Sequence, residues 1–217
     1  EVKEDLYEKV SAFFTANVST LNKSKGWLSE YGDKPLLHSL DIHNFDVLSS
    51  DNYQCNTWIK ADPTFEGLKQ IKIEKDRIFI GEEPPLFKRI RENKTKFIDY
   101  LTVDKIDDVW FNEFRVNLNS SLVAIIGNKG GGKSAIADII SLCGNTHQDI
   151  DHFSFLTSTK FRKSKPFNLS EKFNATLAWK NDVKLEKKLN ENPDNRQPEY
   201  VRYIPQHFLE KLCANVE

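Results

Sequence analysis

The feature that most constrains this chain is the run Ser121-Leu-Val-Ala-Ile-Ile-Gly-Asn-Lys-Gly-Gly-Gly-Lys-Ser-Ala-Ile-Ala-Asp-Ile-Ile140, in which an apolar stretch meets glycines, then Lys-Ser, then a second apolar stretch. Leu122 to Ile126 are mostly branched and uninterrupted, which predicts a strand buried on both faces in a parallel sheet. Gly127, Asn128, Lys129, Gly130, Gly131, Gly132, Lys133 and Ser134 fit the pattern G-x-x-x-x-G-K-[ST] without a mismatch. Each residue type has its own physical reason. Glycines let the backbone turn tightly and bring N–H groups against phosphate oxygens where a side chain would block the approach. A helix starting near Lys133 points its positive end at the same anion. The ammonium of Lys133 reaches the β- and γ-phosphates, and the hydroxyl of Ser134 is offered to Mg²⁺.

A glycine-rich turn before any helix would match eight residues by chance, so the flanks decide. The apolar run lies immediately before the loop, and Ile136, Ile139, Ile140 and Cys143 recur at helical spacing after it. Strand, phosphate loop and helix follow in the order that nucleotide binding requires.

With 217 residues and 39% hydrophobic content the chain can bury one core and a smaller partial unit, and an α/β fold is expected. No apolar run approaches the length of a bilayer span, and Glu1-Val-Lys-Glu-Asp5 lacks the charge and apolar core of a signal peptide. Cys55, Cys143 and Cys213 are widely separated, odd in number and without a C-x-x-C pair, which argues against a disulfide framework or zinc ribbon and for the cytoplasm. A net charge of −1 gives no compositional argument for nucleic acid, and leaves a local basic patch open. The chain contains no methionine and stops soon after an element that should feed a larger nucleotide-binding lobe, so an interior slice of a longer protein is expected.

Along the chain, Leu6, Val10, Phe13, Phe14, Val18 and Leu21 fall at three- and four-residue intervals and predict an amphipathic helix from Glu1 to about Lys23. Leu36 to Leu40 read as a short buried strand. Thr57 onward predicts a strand, a turn at Asp62-Pro63 and a short helix capped from Asp62 or Thr64. Arg77 to Gly81 is a further strand, and Pro84-Pro85 is the candidate domain boundary. The charge-rich Lys88 to Lys96 reads as a solvated linker or helix face. Phe97–Val103 and Trp110–Val116 read as strands, Leu118–Ser121 as a turn, and Phe173–Trp179 with Val183–Leu185 as a hairpin turning at Asn181-Asp182. Lys187 to Gln197 is expected to be a mobile loop, and Tyr200 to Gln206 a buried strand. The resulting division is 1–85, a linker over 86–96, and 97–217.

Asp41-Ile42-His43 places two metal-capable side chains two apart, on one side of an extended chain. On spacing alone these are ordinary loop residues, because a metal site needs more ligands than two. His38, His147, His152 and His207 read as surface or packing histidines.

The order of parts after Phe97 resembles the amino-terminal lobe of ABC-type ATPases, particularly the SMC-like and DNA-repair branch. The strands before the loop, the motif Gly127 to Ser134, and Tyr203-Ile-Pro-Gln206, similar to the Q-loop, carry the likeness. The resemblance implies that Gln206 contacts the catalytic Mg²⁺ and the attacking water. Before it, His38-Ser-Leu-Asp-Ile-His-Asn-Phe45 and Cys55-Asn-Thr-Trp-Ile-Lys-Ala-Asp-Pro-Thr-Phe-Glu-Gly-Leu-Lys-Gln70 resemble the end of a PHP-type phosphoesterase domain, as in TrlF-family proteins that join PHP to an SMC-like ATPase. Their last metal motif typically reads Ser-Asp-Ala-His; Asp41 and His43 occupy its ligand positions, with Leu40 where serine is usual. By this resemblance 1–85 is the C-terminal part of a PHP-like domain and 97–217 an ATPase lobe with a mixed sheet and β-hairpin. The other PHP ligand motifs would precede Glu1, so Mn²⁺ or Zn²⁺ at Asp41 and His43 would need ligands from outside the chain.

The family implies ATP and Mg²⁺ as ligands, with Walker B and signature residues supplied by a C-terminal lobe and a head-to-tail homodimer. ATP would close two heads and hydrolysis reopen them, coupled to DNA, RNA or a nuclease effector in genome maintenance or anti-phage defence. Three rivals have different discriminators. A PHP phosphoesterase regulated by the ATPase would show metal content and phosphodiester cleavage. A small-molecule P-loop kinase would require a lid arginine cluster and an acceptor pocket. A nucleotide-gated interaction module would bind ATP without releasing phosphate.

Overall fold

The computed structural model describes residues 2–16, 34–38, 56–106, 112–163, 168–205 and 208. The fold is mixed α/β, in two compact units, Glu1–Arg89 and Ile90–Glu217. No helix among the described residues is long and apolar enough to cross a membrane.

In the first unit, α1 (Val2–Lys9) is followed by β1 (Phe13–Thr15), which pairs in parallel with β2 (Leu36–His38). The helix expected to reach Lys23 therefore ends at Lys9. Phe13 and Phe14 fit the helical spacing but pair with Leu36 and Leu37, a non-local contact that local periodicity does not register. Val18 and Leu21 lie outside the described residues. An antiparallel pair joins β3 (Asn56–Ile59) to β4 (Ile78–Gly81), and between them sits α2 (Phe65–Gln70). The cap of α2 is Thr64, whose hydroxyl accepts the Gly67 N–H at 3.0 Å. A side chain at Gly67 would lie 2.1 Å from the carbonyl oxygen of Asp62, so glycine is required there by close approach. Pro85, read as part of a domain boundary, opens α3 (Pro85–Glu92), which takes in Lys88 to Glu92 of the stretch read as a solvated linker or helix face; proline suits the first helical turn, where its missing N–H has no helical partner to lose.

The second unit is built on a four-stranded antiparallel sheet ordered β6-β5-β7-β8, from β5 (Ile98–Lys105), β6 (Phe114–Asn117), β7 (Phe173–Trp179) and β8 (Lys184–Lys188). Period-two alternation sends Leu101, Val103, Phe173, Ala175 and Leu177 to one face, where each is fully buried. Leu101 stands opposite Val116 on one side and Leu177 on the other, and Leu177 stands opposite Leu185. Over this face lies α4 (Lys133–Cys143), seated through Ile139, Leu142 and Cys143. The Cys143 thiol donates to the carbonyl of Ala175 at 3.6 Å. Phe153, Leu156 and Phe161 close the core, with Phe161 stacked on Phe155 at 4.5 Å. Each such side chain contributes roughly 1.5–3 kcal/mol of burial.

Three local expectations give way here. Leu122–Ile126 belongs to no ladder among the described residues, and Leu122 and Ile126 are 89% and 90% exposed. Branched composition favours a strand, yet a strand exists only with a neighbour to pair it. Residues 202–205 are likewise outside any ladder. Lys187 to Gln197, expected to be mobile, is pinned: Asn145 accepts the Asp194 N–H at 2.8 Å and donates to the carbonyls of Asp194, Pro198 and Gln197 at 3.0, 3.0 and 3.3 Å.

Candidate phosphate-binding site

The loop at the head of α4 has the backbone its glycines predict. Gly130 and Gly132 both hold φ at +83°, a region costly for any residue with a Cβ, and Gly132 is the N-cap of the helix. Open space surrounds both positions, so the requirement is conformational rather than steric. Gly131 N–H donates to the carbonyl of Asn128 at 3.1 Å, closing a turn within the loop. Lys133 folds back across it, its ammonium donating to the carbonyls of Gly127 and Asn128 at 2.8 Å each. Those two contacts fold the cation back onto the loop that precedes an 11-residue helix, whose first N–H groups have no side-chain cap. Lys129 and Ser134 are exposed, and Ser134 follows Lys133 on the first turn of the helix. Glycines in the left-handed region, one ammonium, one hydroxyl and helix-end N–H groups without a side-chain cap are the groups that suit a polyphosphate and its divalent cation.

Beside the unpaired Leu122–Ile126 run is a cleft of about 390 Å³, lined in part by Phe97, Ile98, Val123, Ile125, Ile140 and Tyr203. It is apolar where the run faces α4 and β5.

The sequence reading missed Asp138. This carboxylate sits on α4 with 0% exposure and accepts four hydrogen bonds, from the N–H groups of Ser154, Phe155 and Leu156 at 3.3, 2.6 and 3.1 Å and from the Tyr203 hydroxyl at 2.7 Å. The signal was one aspartate inside the apolar run Ala-Ile-Ala-Asp-Ile-Ile, since a carboxylate is rarely buried unless its oxygens are satisfied. Burial pushes the Tyr203 phenol well up, and its bond to Asp138 adds to this, so the hydroxyl stays protonated and donates. The adjoining turn is also polar and satisfied. The backbone N–H of His147 at 3.0 Å, assisted by the Thr146 hydroxyl, holds the Glu199 carboxyl below its ordinary range.

The expected metal and Q-loop positions, Asp41, His43 and Gln206, lie outside the described residues. His38, expected at the surface or in packing, is buried at 7% exposure at the end of β2; its imidazole nitrogens have no hydrogen-bond partner among the described residues, while its backbone brackets the Thr57 hydroxyl at 2.8 Å. Among the described residues no three His, Cys, Asp or Glu side chains converge to hold a metal ion. Compared with protein-family models and with curated proteins, the chain matches none.

Proposed function

We propose that this chain binds Mg-ATP through Gly127 to Ser134 as the N-terminal lobe of an ABC/SMC-like ATPase, in a protein that carries a PHP-type domain ahead of it. The observation that supports this reading most directly is the placement of Lys133, held by two carbonyls over a loop with left-handed Gly130 and Gly132 at the start of a long helix. Lys133 would exchange those carbonyls for the β- and γ-phosphate oxygens, while loop N–H groups and the helix end take the remaining charge. Ser134 would hold Mg²⁺, which neutralises charge developing on the phosphates. Gln206, by its place after Tyr203-Ile-Pro205, would orient water and complete the Mg²⁺ contacts.

Turnover requires a carboxylate and a signature sequence from a second lobe, with heads closing head to tail on nucleotide and coupling this closure to nucleic-acid processing or defence. The exposed Leu122–Ile126 run and the apolar cleft beside it support such a second lobe. A strand of this composition is stable when flanked on both edges.

Calorimetric titration with a slowly hydrolysed ATP analogue in Mg²⁺ tests the reading. Wild type should bind, and folded Lys133→Ala should lose at least roughly 100-fold in affinity, as expected when a charge-assisted phosphate contact is removed. Equal affinity in the two would overturn it, and Lys133-dependent phosphate release by this chain alone would overturn the need for a second lobe.

A further inference from the structure

We propose that the polar face of α3, with Lys88, Arg89 and Arg91, and the turn that follows it, with Lys94 and Lys96, form a docking surface for the phosphate backbone of a nucleic-acid duplex. The inference goes beyond the nucleotide-binding reading and uses none of its residues.

The charge is local. From Lys88 to Lys96 the chain carries five cationic side chains and one carboxylate, Glu92, within a protein whose net charge is −1. All six are exposed. At about 100° per residue Lys88, Arg89, Arg91 and Glu92 fall within an arc of about 160° on α3, and Leu86, Phe87 and Ile90 fall on the other side. The ring of Phe87 stands edge-on to Trp58 at 5.5 Å, and Leu86 and Ile90 are partly buried, so the apolar side is engaged with protein while the basic side faces solvent. A 3-10 turn over Lys94–Lys96 carries the cationic run beyond the helix end.

Solvation alone does not call for this pattern. A face that only meets water can alternate the sign of its charges and pair them locally, as Lys69 does with Glu66 and Arg77 with Glu74. Lys88 and Arg91, at the same three-residue spacing, are instead alike in charge, and Lys88, Lys94 and Lys96 form no ion pair among the described residues. The helix dipole favours cations in the last turn, which accounts for Arg89 and Arg91 but not for the three lysines. A polyanion would relieve the mutual repulsion of all five. A basic amphipathic helix binds a membrane by burying its apolar side in the interface, and here that side packs on Trp58. No aromatic ring lies between Lys88 and Lys96 to stack on an unpaired base, so the surface fits the regular backbone of a duplex better than a single strand. Along the roughly 12 Å of α3 a duplex presents about seven phosphate charges, so the cations set the number of contacts.

The test is the salt dependence of binding between the 217-residue chain, without nucleotide, and a fluorescent DNA duplex, read by anisotropy. For wild type, log K should fall with log salt at a slope of about −2.7 to −4.5, three to five phosphates at about 0.9 each, and alike for two unrelated duplex sequences. The triple variant Lys88→Gln/Lys94→Gln/Lys96→Gln should lose about 2.7 from that slope, and each single variant about 0.9. The single variants decide the matter if the triple variant does not fold. Lys184→Gln/Lys188→Gln, which removes two exposed charges from β8, should keep the wild-type slope. Slopes unchanged by the Lys88, Lys94 and Lys96 substitutions overturn the inference. So do a wild-type chain with no salt-dependent duplex binding, an equal loss of slope per charge in the β8 variant, or tighter binding to phosphatidylcholine–phosphatidylserine vesicles than to duplex at the same salt. Because the measurement contains no nucleotide, a chain that fails to bind ATP defeats the nucleotide-binding reading and leaves this inference to stand or fall on the slope alone.

Discussion

Val201 rests directly on the α-carbon of Gly144: a methyl group added there would lie 2.3 Å from Cγ2 of Val201 and 2.4 Å from its Cβ. Gly144 has φ of −77°, which any residue adopts, so the glycine is required by contact and not by conformation. Gly144→Ala should therefore destabilise the second unit by about 1–3 kcal/mol through overpacking, visible as a lower urea midpoint at unchanged slope. Val201→Gly, which removes both Cγ2 and Cβ, should restore part of that loss in the double variant. A Gly144→Ala chain as stable as wild type would mean that the two segments are not in contact.

Asn145 supports a second prediction. It is 2% exposed, sits at φ of +51°, and spends its amide on the Asp194–Pro198 turn. Asn145→Ala loses those bonds and sets a Cβ without local hydrogen bonding in a left-handed conformation, for a combined cost of roughly 2–4 kcal/mol. Asn145→Gly relieves the backbone part and should cost less. Hydrogen exchange should report faster amide exchange across 190–198 in both variants, and unchanged protection there would refute the clamp.

The clamp illustrates what the sequence conveys and what it does not. The β7–β8 hairpin was legible because alternation in Phe173–Trp179 is local and Asp182, at φ of +66°, supplies the turn between its neighbours. Thr64 was legible as a cap for the same reason. The 187–197 segment reads as loose by composition, since its anchor, Asn145, lies 49 to 53 residues earlier. Asp138 is similar: its partners are 16 to 18 and 65 residues away, so a local window shows only a polar interruption. At the phosphate loop the motif fixed the turn and the helix start because every interaction involved spans six residues or fewer. The strand before it was not settled by its own composition, because pairing is a property of a neighbour.

Cys143 gives a prediction in pH. Burial pushes its thiol from an ordinary 9.0 up to about 12, with Lys187 opposing and Glu191 and Glu186 adding. The folded chain keeps the proton over a window in which the unfolded chain releases it. Stability should thus be unaffected by this group below about pH 9 and fall between 9 and about 12, by at most about 1.4 kcal/mol per pH unit. Comparing urea midpoints of wild type and Cys143→Ala from pH 7 to above 10 isolates the effect, which should appear as convergence of the two curves at high pH. Peptide mass spectrometry should also find Cys143 unmodified by iodoacetamide at pH 8 until denaturant is added. Labelling of the native chain at that position would place the thiol outside the core.

The last prediction separates two apolar positions that composition treats alike. Ile126 is 90% exposed and Leu142 is fully buried, although each belongs to an apolar run flanking the same loop. Leu142→Ala removes side-chain contacts with the sheet and leaves a cavity, at a cost of about 2–5 kcal/mol. Ile126→Ser removes little burial, so its effect on the stability of this chain should stay within about 0.5 kcal/mol. The same substitution should reduce binding of a hydrophobic dye and any self-association, because an unpaired apolar run beside an open cleft invites strand addition. In a longer protein whose second lobe covers Leu122–Ile126, the order changes: Ile126→Ser would then cost as much as a core substitution, because the side chain would be buried between paired strands. Equal, large losses from Ile126→Ser and Leu142→Ala in the 217-residue chain would show that the run is already buried here and remove its support for a second lobe. A near-neutral Ile126→Ser here, together with a damaging one in the longer protein, would identify this run as the surface the lobe completes.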